Sequence, residues 1–171
     1  SKGRMTSLIV FVPFLLLLLV AAGWDLATYT IPNLISVLLI VGFALFALTS
    51  GMSTAIVAGH FAAGAIALVI GFILFAFGYI GGGDAKVFAA IAAWFGLHDL
   101  PEFVLLASVF GGALTLGLLT MRKFPLPAPL AAQDWILRLH EPRGGIPYGV
   151  ALSAGAIVIL PYTDIFHLAV G

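Results

Sequence analysis

Cysteine is missing altogether from the 171 residues, and charge nearly so: seven Lys and Arg with seven Asp and Glu make up 8% of the chain. Without cysteine there is no disulfide framework, thiolate zinc site, thiol nucleophile or cysteine-held iron–sulfur cluster. A soluble domain carries about 25% charged residues to cover its surface. With 63% hydrophobic residues and a mean hydropathy of +1.22, most side chains here must instead face lipid. Net charge is zero and no basic run exists to meet a phosphate backbone, which excludes nucleic-acid binding. The four histidines, His60, His98, His140 and His167, are scattered, so no metal cluster is expected.

What is present is a series of apolar runs. Ser1 to Arg4 precede the first methionine, Met5, and read as an expression scar, leaving 5–171 as a single membrane domain. The runs lie at about 8–23, 34–48, 54–80, 85–97, 103–120 and 149–170, the last with Pro161 inside. A bilayer core takes about 20 helical residues, fewer when neighbours bury the span. The expected fold class is therefore all-α, a polytopic membrane protein with six transmembrane helices. The first run, with Lys2 and Arg4 before it and Ala21-Ala22-Gly23 after it, has the outline of a signal peptide; the later spans favour a first transmembrane helix. Gly64, Gly71 and Gly78 recur every seven residues in the third, a small-residue stripe suited to close helix packing.

Six crossings put residues 24–33, 81–84 and the long loop 121–148 on one side. That side holds Lys86, Arg122, Lys123, Arg138 and Arg143, while the other holds Lys2 and Arg4, so the first is read as cytoplasmic. The run at 85–97 is short for a crossing, and a re-entrant path there would move every later loop to the other side. In the long loop, Pro125, Pro127 and Pro129 oppose a helix at the start. Residues 131–140 then alternate apolar and polar groups as a short helix at the interface or in solvent would.

Acidic residues near a span are costly and point to function unless they sit at a wet helix end. Asp99, Glu102, Asp134, Glu141 and Asp164 fall in or beside loops and read as ordinary solvated carboxylates. Asp25 ends the first helix with no basic residue within ten positions, and Asp84 follows Gly81-Gly82-Gly83 at the start of the fourth. For Asp84 the plain role is a helix cap; for Asp25 it is an interfacial carboxylate. On a six-span topology the two emerge on the same face. Two carboxylates that meet share one proton, the neutral one acting as acid and the charged one as base, which is aspartic protease chemistry and takes no metal or cofactor. Three glycines beside Asp84 would let an extended peptide approach, and also break the helix. A proton- or cation-coupled transporter that binds its ion with the same two aspartates is the alternative, and a non-catalytic scaffold a third.

Asp25 followed by Ile31-Pro32-Asn33 resembles the first motif of the type IV prepilin peptidases. Gly81-Gly82-Gly83-Asp84-Ala85-Lys86 resembles their second motif, Gly-x-Gly-Asp-x-Lys, and Pro147-Tyr148-Gly149 their segment near the last helix. The resemblance implies that Asp25 and Asp84 are the catalytic pair facing the cytoplasm. Its substrate would be a prepilin, cut after a glycine that precedes the hydrophobic helix. Asn33, Gly81, Gly82, Gly83, Lys86, Tyr148 and Gly149 are then substrate-contacting or supporting groups, with Lys86 either positioning a carboxylate or snorkelling to headgroups. Larger members carry a Cys-x-x-Cys insertion between the first two spans, associated with N-methylation. Here Leu26 to Asn33 are all that separate Asp25 from the second helix, and cysteine is absent. The chain thus resembles the short form of Flp-type (tight adherence) pilus systems: a peptidase without methyltransferase activity, metal or cofactor, in an inner or plasma membrane, with Flp-type prepilin and the lipid bilayer as partners.

Overall fold

The computed structural model describes the backbone of residues 2–170 and the side chains of 9–170. Ser1 of the expected scar, and the side chains of Lys2 and Arg4, lie outside the described residues. All regular structure among those described is helical. In chain order the helices are α1 (Lys2–Thr28), α2 (Asn33–Thr49), α3 (Thr54–Ala76), α4 (Gly82–Met121), α5 (Ala128–Ala131), α6 (Asp134–His140), α7 (Tyr148–Ile159) and α8 (Asp164–Val170), with a 3₁₀ turn, Leu160–Tyr162, between the last two. Among the described residues three helices are long and apolar enough to cross a membrane, Ile9–Thr28 within α1, α3 and α4. A fourth appears if α7 and α8, bent by 52° at their junction, count as one span, and α2 is apolar but shorter.

The largest departure from the sequence reading is at residues 98–102, expected as a loop around Pro101 but helical throughout. The break falls earlier, at Gly96, whose φ of 75° and ψ of −179° belong to a region essentially reserved for glycine. Here α4 reverses. Phe88 and Phe103 would stand about 22 Å apart along a straight helix, yet their ring centroids are 5.9 Å apart. The two legs, 82–95 and 97–121, therefore lie side by side. His60 of α3 holds the reversal: its Nδ1 donates to the Ala93 carbonyl at 2.9 Å, satisfying an acceptor at the end of the first leg. Its ring stacks on Phe43 at 4.9 Å and fills the space where a side chain at 96 would stand.

Leu18, Leu39, Phe14, Phe43, Phe95 and Phe103 are fully buried between the helices, while one face of each long helix leaves large apolar side chains exposed. Buried polar groups are tied to helix carbonyls: Trp94 Nε1 donates to Leu39 O at 2.7 Å and Ser153 Oγ to Leu18 O at 2.9 Å. The glycine stripe of α3 divides into two roles. A Cβ at Gly64 or Gly71 would meet Ala93 or Ala85 of α4 at 3.1 or 3.0 Å, so these two let the helices touch. Gly78 lies beyond the helix and ends it at Ala76 rather than Ile80, with φ of 76° and its N–H bonded to Phe75 O. In the long loop Pro129 sits in the first turn of α5, a position where the missing N–H costs nothing, so a short helix does form there.

Candidate active site

Asp25 lies one turn before the end of α1, and Asp84 in the first turn of α4. The hydrophobic faces of those helices carry both into the interior, where Asp25 is 2% and Asp84 5% exposed. They converge on α7. The Gly149 N–H, one of the free amides of its first turn, donates to Asp25 Oδ2 at 2.7 Å, while Asp84 lines a cleft with Tyr148, Ala151 and Leu152 of the same helix. Asp84 also has the capping role read from the sequence: its Oδ2 accepts the N–H of Gly81 at 2.9 Å. Its Oδ1 is buried and has no partner, a condition shared among the described residues with Tyr29 Oη. An orphaned carboxylate oxygen in an apolar interior is costly unless something occupies it in function.

Asp84 lines a cleft of about 560 Å³ bounded by α3, both legs of α4 and α7. Ile70, Leu74, Phe88, Leu116 and Leu152 make its walls apolar, Ser108 and Thr115 add hydroxyls, and Tyr148 stands on the α7 side. Such a cleft is within the size range of ligand sites. It suits a chain of apolar residues, with the acid group at one end.

Close packing locks this end of the molecule. Ile31, between Asp25 and α2, is wedged against two glycines: a Cβ at Gly83 would lie 3.1 Å from its backbone N and a Cβ at Gly149 2.6 Å from its Cδ1. Lys86 Nζ donates to Asn33 Oδ1 at 2.9 Å, at an exposed position, tying α4 to the start of α2. Gly82 faces Phe75 of α3, and Gly81 is an exposed cap. From the sequence, Ile31 and Gly149 stand in motifs without the contacts they make here, and Tyr29 has no role; it takes a φ of 54° directly after α1 and packs near Gly145. The Pro147-Tyr148-Gly149 segment was the available signal for the amide.

Of the carboxylates taken as solvated, Asp99 is not: it is 4% exposed. Its Oδ2 accepts the Asp164 N–H at 2.8 Å, capping α8, and His98 Nδ1 bridges Asp99 Oδ1 and Asp164 Oδ2 at 3.1 and 3.0 Å. The cluster follows the α4 reversal, at the far end of the first leg from Asp84. Hydropathy gave no hint of it because its partners come from segments 65 residues apart.

Comparison with known proteins gives the chain a family. Over 92 residues, 54% of its length, the chain is 35% identical to a prepilin leader peptidase/N-methyltransferase of Burkholderia pseudomallei. Over 57 residues it is 39% and 40% identical to proteins of that name from Dickeya chrysanthemi and Pectobacterium carotovorum. The matched stretches span a quarter and a fifth of those relatives' lengths. No solved structure matches the chain. Residues 12–116, which include Asp25 and Asp84 and stop short of Gly149, match the type IV leader peptidase family, and the chain belongs to that family.

Proposed function

We propose that the protein is a membrane-embedded aspartic endopeptidase that removes the leader of a prepilin at the cytoplasmic face of the inner membrane. The observation that carries the reading is that two buried carboxylates both reach α7, Asp25 through the Gly149 amide and Asp84 in the apolar cleft it lines with Tyr148. The substrate's hydrophobic segment lies along the cleft, its scissile bond near Asp84 Oδ1. The pair holds one proton. The ionised carboxylate takes a proton from water as the water oxygen bonds to the peptide carbonyl carbon, and the protonated partner gives its proton to the carbonyl oxygen. When the tetrahedral centre collapses, the C–N bond breaks and the amine nitrogen takes up the proton acquired from water. The carbonyl oxygen's proton returns to its carboxylate, restoring the pair.

The topology that goes with this is six spans: α1, α2, α3, the two legs of α4, and α7 with α8. Asp25, Asp84 and the long loop then share the side rich in Lys and Arg. With Leu26 to Asn33 joining Asp25 to α2, and no cysteine in the chain, the substrate is a Flp-type prepilin and no methyl transfer follows cleavage. Co-expression with a Flp-type prepilin tests the reading. The wild type should shorten the prepilin by its leader, whereas Asp25→Asn and Asp84→Asn, present in the membrane at equal amounts, should leave it uncut. Processing at the wild-type rate by either variant would rule the pair out.

A further inference from the structure

Five basic residues mark the cytoplasmic side, a role for which any positive charge suffices, but two of them are held in a way that charge alone does not require. Arg122 follows α4 directly. Its Nε donates to Leu139 O at 2.8 Å, its Nη1 to Gly144 O at 3.0 Å and its Nη2 to Gly145 O at 2.8 Å. All three guanidinium nitrogens are therefore spent on backbone carbonyls of one loop, and among the described residues no carboxylate lies within ion-pair reach. The loop backbone is moulded to the guanidinium: a Cβ at Gly144 would lie 3.1 Å from Nη2. Arg138, on α6, donates through Nη1 to Ala27 O at 2.6 Å, an open carbonyl at the end of α1 two residues past Asp25. Four residues after Gly145 the same stretch of chain presents the Gly149 N–H to Asp25.

We propose that Arg122 is a positioning residue for the carboxylate pair. It fixes the loop 139–145 so that α7 starts where the Gly149 amide meets Asp25, and Arg138 pins the same loop to the helix that carries Asp25. The proposal rests on the peptidase reading and adds to it the group that sets the pair's geometry. A lysine in place of Arg122 keeps the charge, and so the topology, but offers one compact ammonium where the structure uses a planar fork. A displacement of about 1 Å at a reacting group costs on the order of 100-fold in rate.

The test uses the full chain in lipid nanodiscs, as wild type, Arg122→Lys and Arg122→Gln, with a Flp-type prepilin as substrate and amide hydrogen exchange over residues 144–150 as a second readout. Both variants should lose about 10-fold to 100-fold in kcat with KM within about threefold, and exchange of the Gly149 region should quicken while α1 to α3 stay protected. Wild-type kcat and unchanged exchange in Arg122→Lys would overturn the proposal, leaving the residue a topological charge. A uniform rise in exchange across the whole chain would overturn it too, by making the role one of general stability. If the wild type itself does not cut prepilin, the peptidase reading fails, while the exchange comparison still decides whether Arg122 holds the Gly149 amide in place.

Discussion

Replacing Gly149 with alanine adds one methyl group at the point where α7 meets the carboxylate pair. That Cβ would lie 2.6 Å from Ile31 Cδ1, 2.8 Å from Asp25 Oδ2 and 3.2 Å from Asp25 Cβ. Ordinary contact begins at about 3.4 Å, so roughly 0.8 Å of movement must come from Ile31 and roughly 0.6 Å from Asp25. Ile31 Cδ1 is the tip of a flexible side chain and turns aside. Asp25 Oδ2 has no such freedom, because it is bonded to the amide of the substituted residue at 2.7 Å. Its retreat stretches a hydrogen bond to a charged group worth about 1.5–3 kcal/mol and moves the carboxylate proposed to react. With about 1.4 kcal/mol per factor of ten, Gly149→Ala should lower kcat for prepilin cleavage by about 10-fold to 100-fold. The double variant Gly149→Ala/Ile31→Val separates the two contacts, since it removes the Cδ1 clash and leaves the Asp25 one. It should stay as slow as Gly149→Ala alone in a gel-based cleavage time course. Full recovery in the double variant, or a single variant within threefold of wild type, would show that the contact with Asp25 does not set the rate.

Other substitutions divide activity from stability. Gly96→Ala forces a side chain into backbone angles that cost about 1–3 kcal/mol and into the His60 ring at 3.0 Å, so its thermal midpoint in detergent should fall clearly. Gly155→Ala drives a methyl group into the Ala107 backbone N at 2.9 Å and should destabilise by about 1–3 kcal/mol in thermal unfolding, with kcat of the folded fraction retained. Asn33→Ala breaks the exposed bond to Lys86 and should change stability by less than about 1 kcal/mol in the same assay. Asp99→Ala removes the buried cap of α8 and should cost about 1–3 kcal/mol, seen as earlier unfolding and faster amide exchange confined first to α8.

The parts of this molecule that could be read from the chain are those whose signal is local. Hydropathy marks the apolar helices because lipid-facing length is a property of consecutive residues, and the scarcity of charge isolates Asp25 and Asp84 for the same reason. The turn inside α4 was misplaced because proline is the stronger breaker on paper. Pro101 is tolerated within the helix, whereas Gly96 turns the chain with its positive φ and with His60, 36 positions away, supporting the break. Asp99 looked solvated because its partner Asp164 lies 65 residues on. The contacts of the Gly149 amide and the Arg122 fork were hidden too: their partners lie 124 residues and up to 23 residues off, and each contact joins a side chain to a backbone atom, which residue identity does not announce.

If Asp25 and Asp84 act as one unit, single-turnover cleavage of prepilin by purified Asp25→Asn, Asp84→Asn and the double variant will show it. Groups that work together are far from additive, so each single variant should be as slow as the double. A single variant that cleaves at the wild-type rate, or a double variant whose loss is the product of two modest ones, would contradict the account.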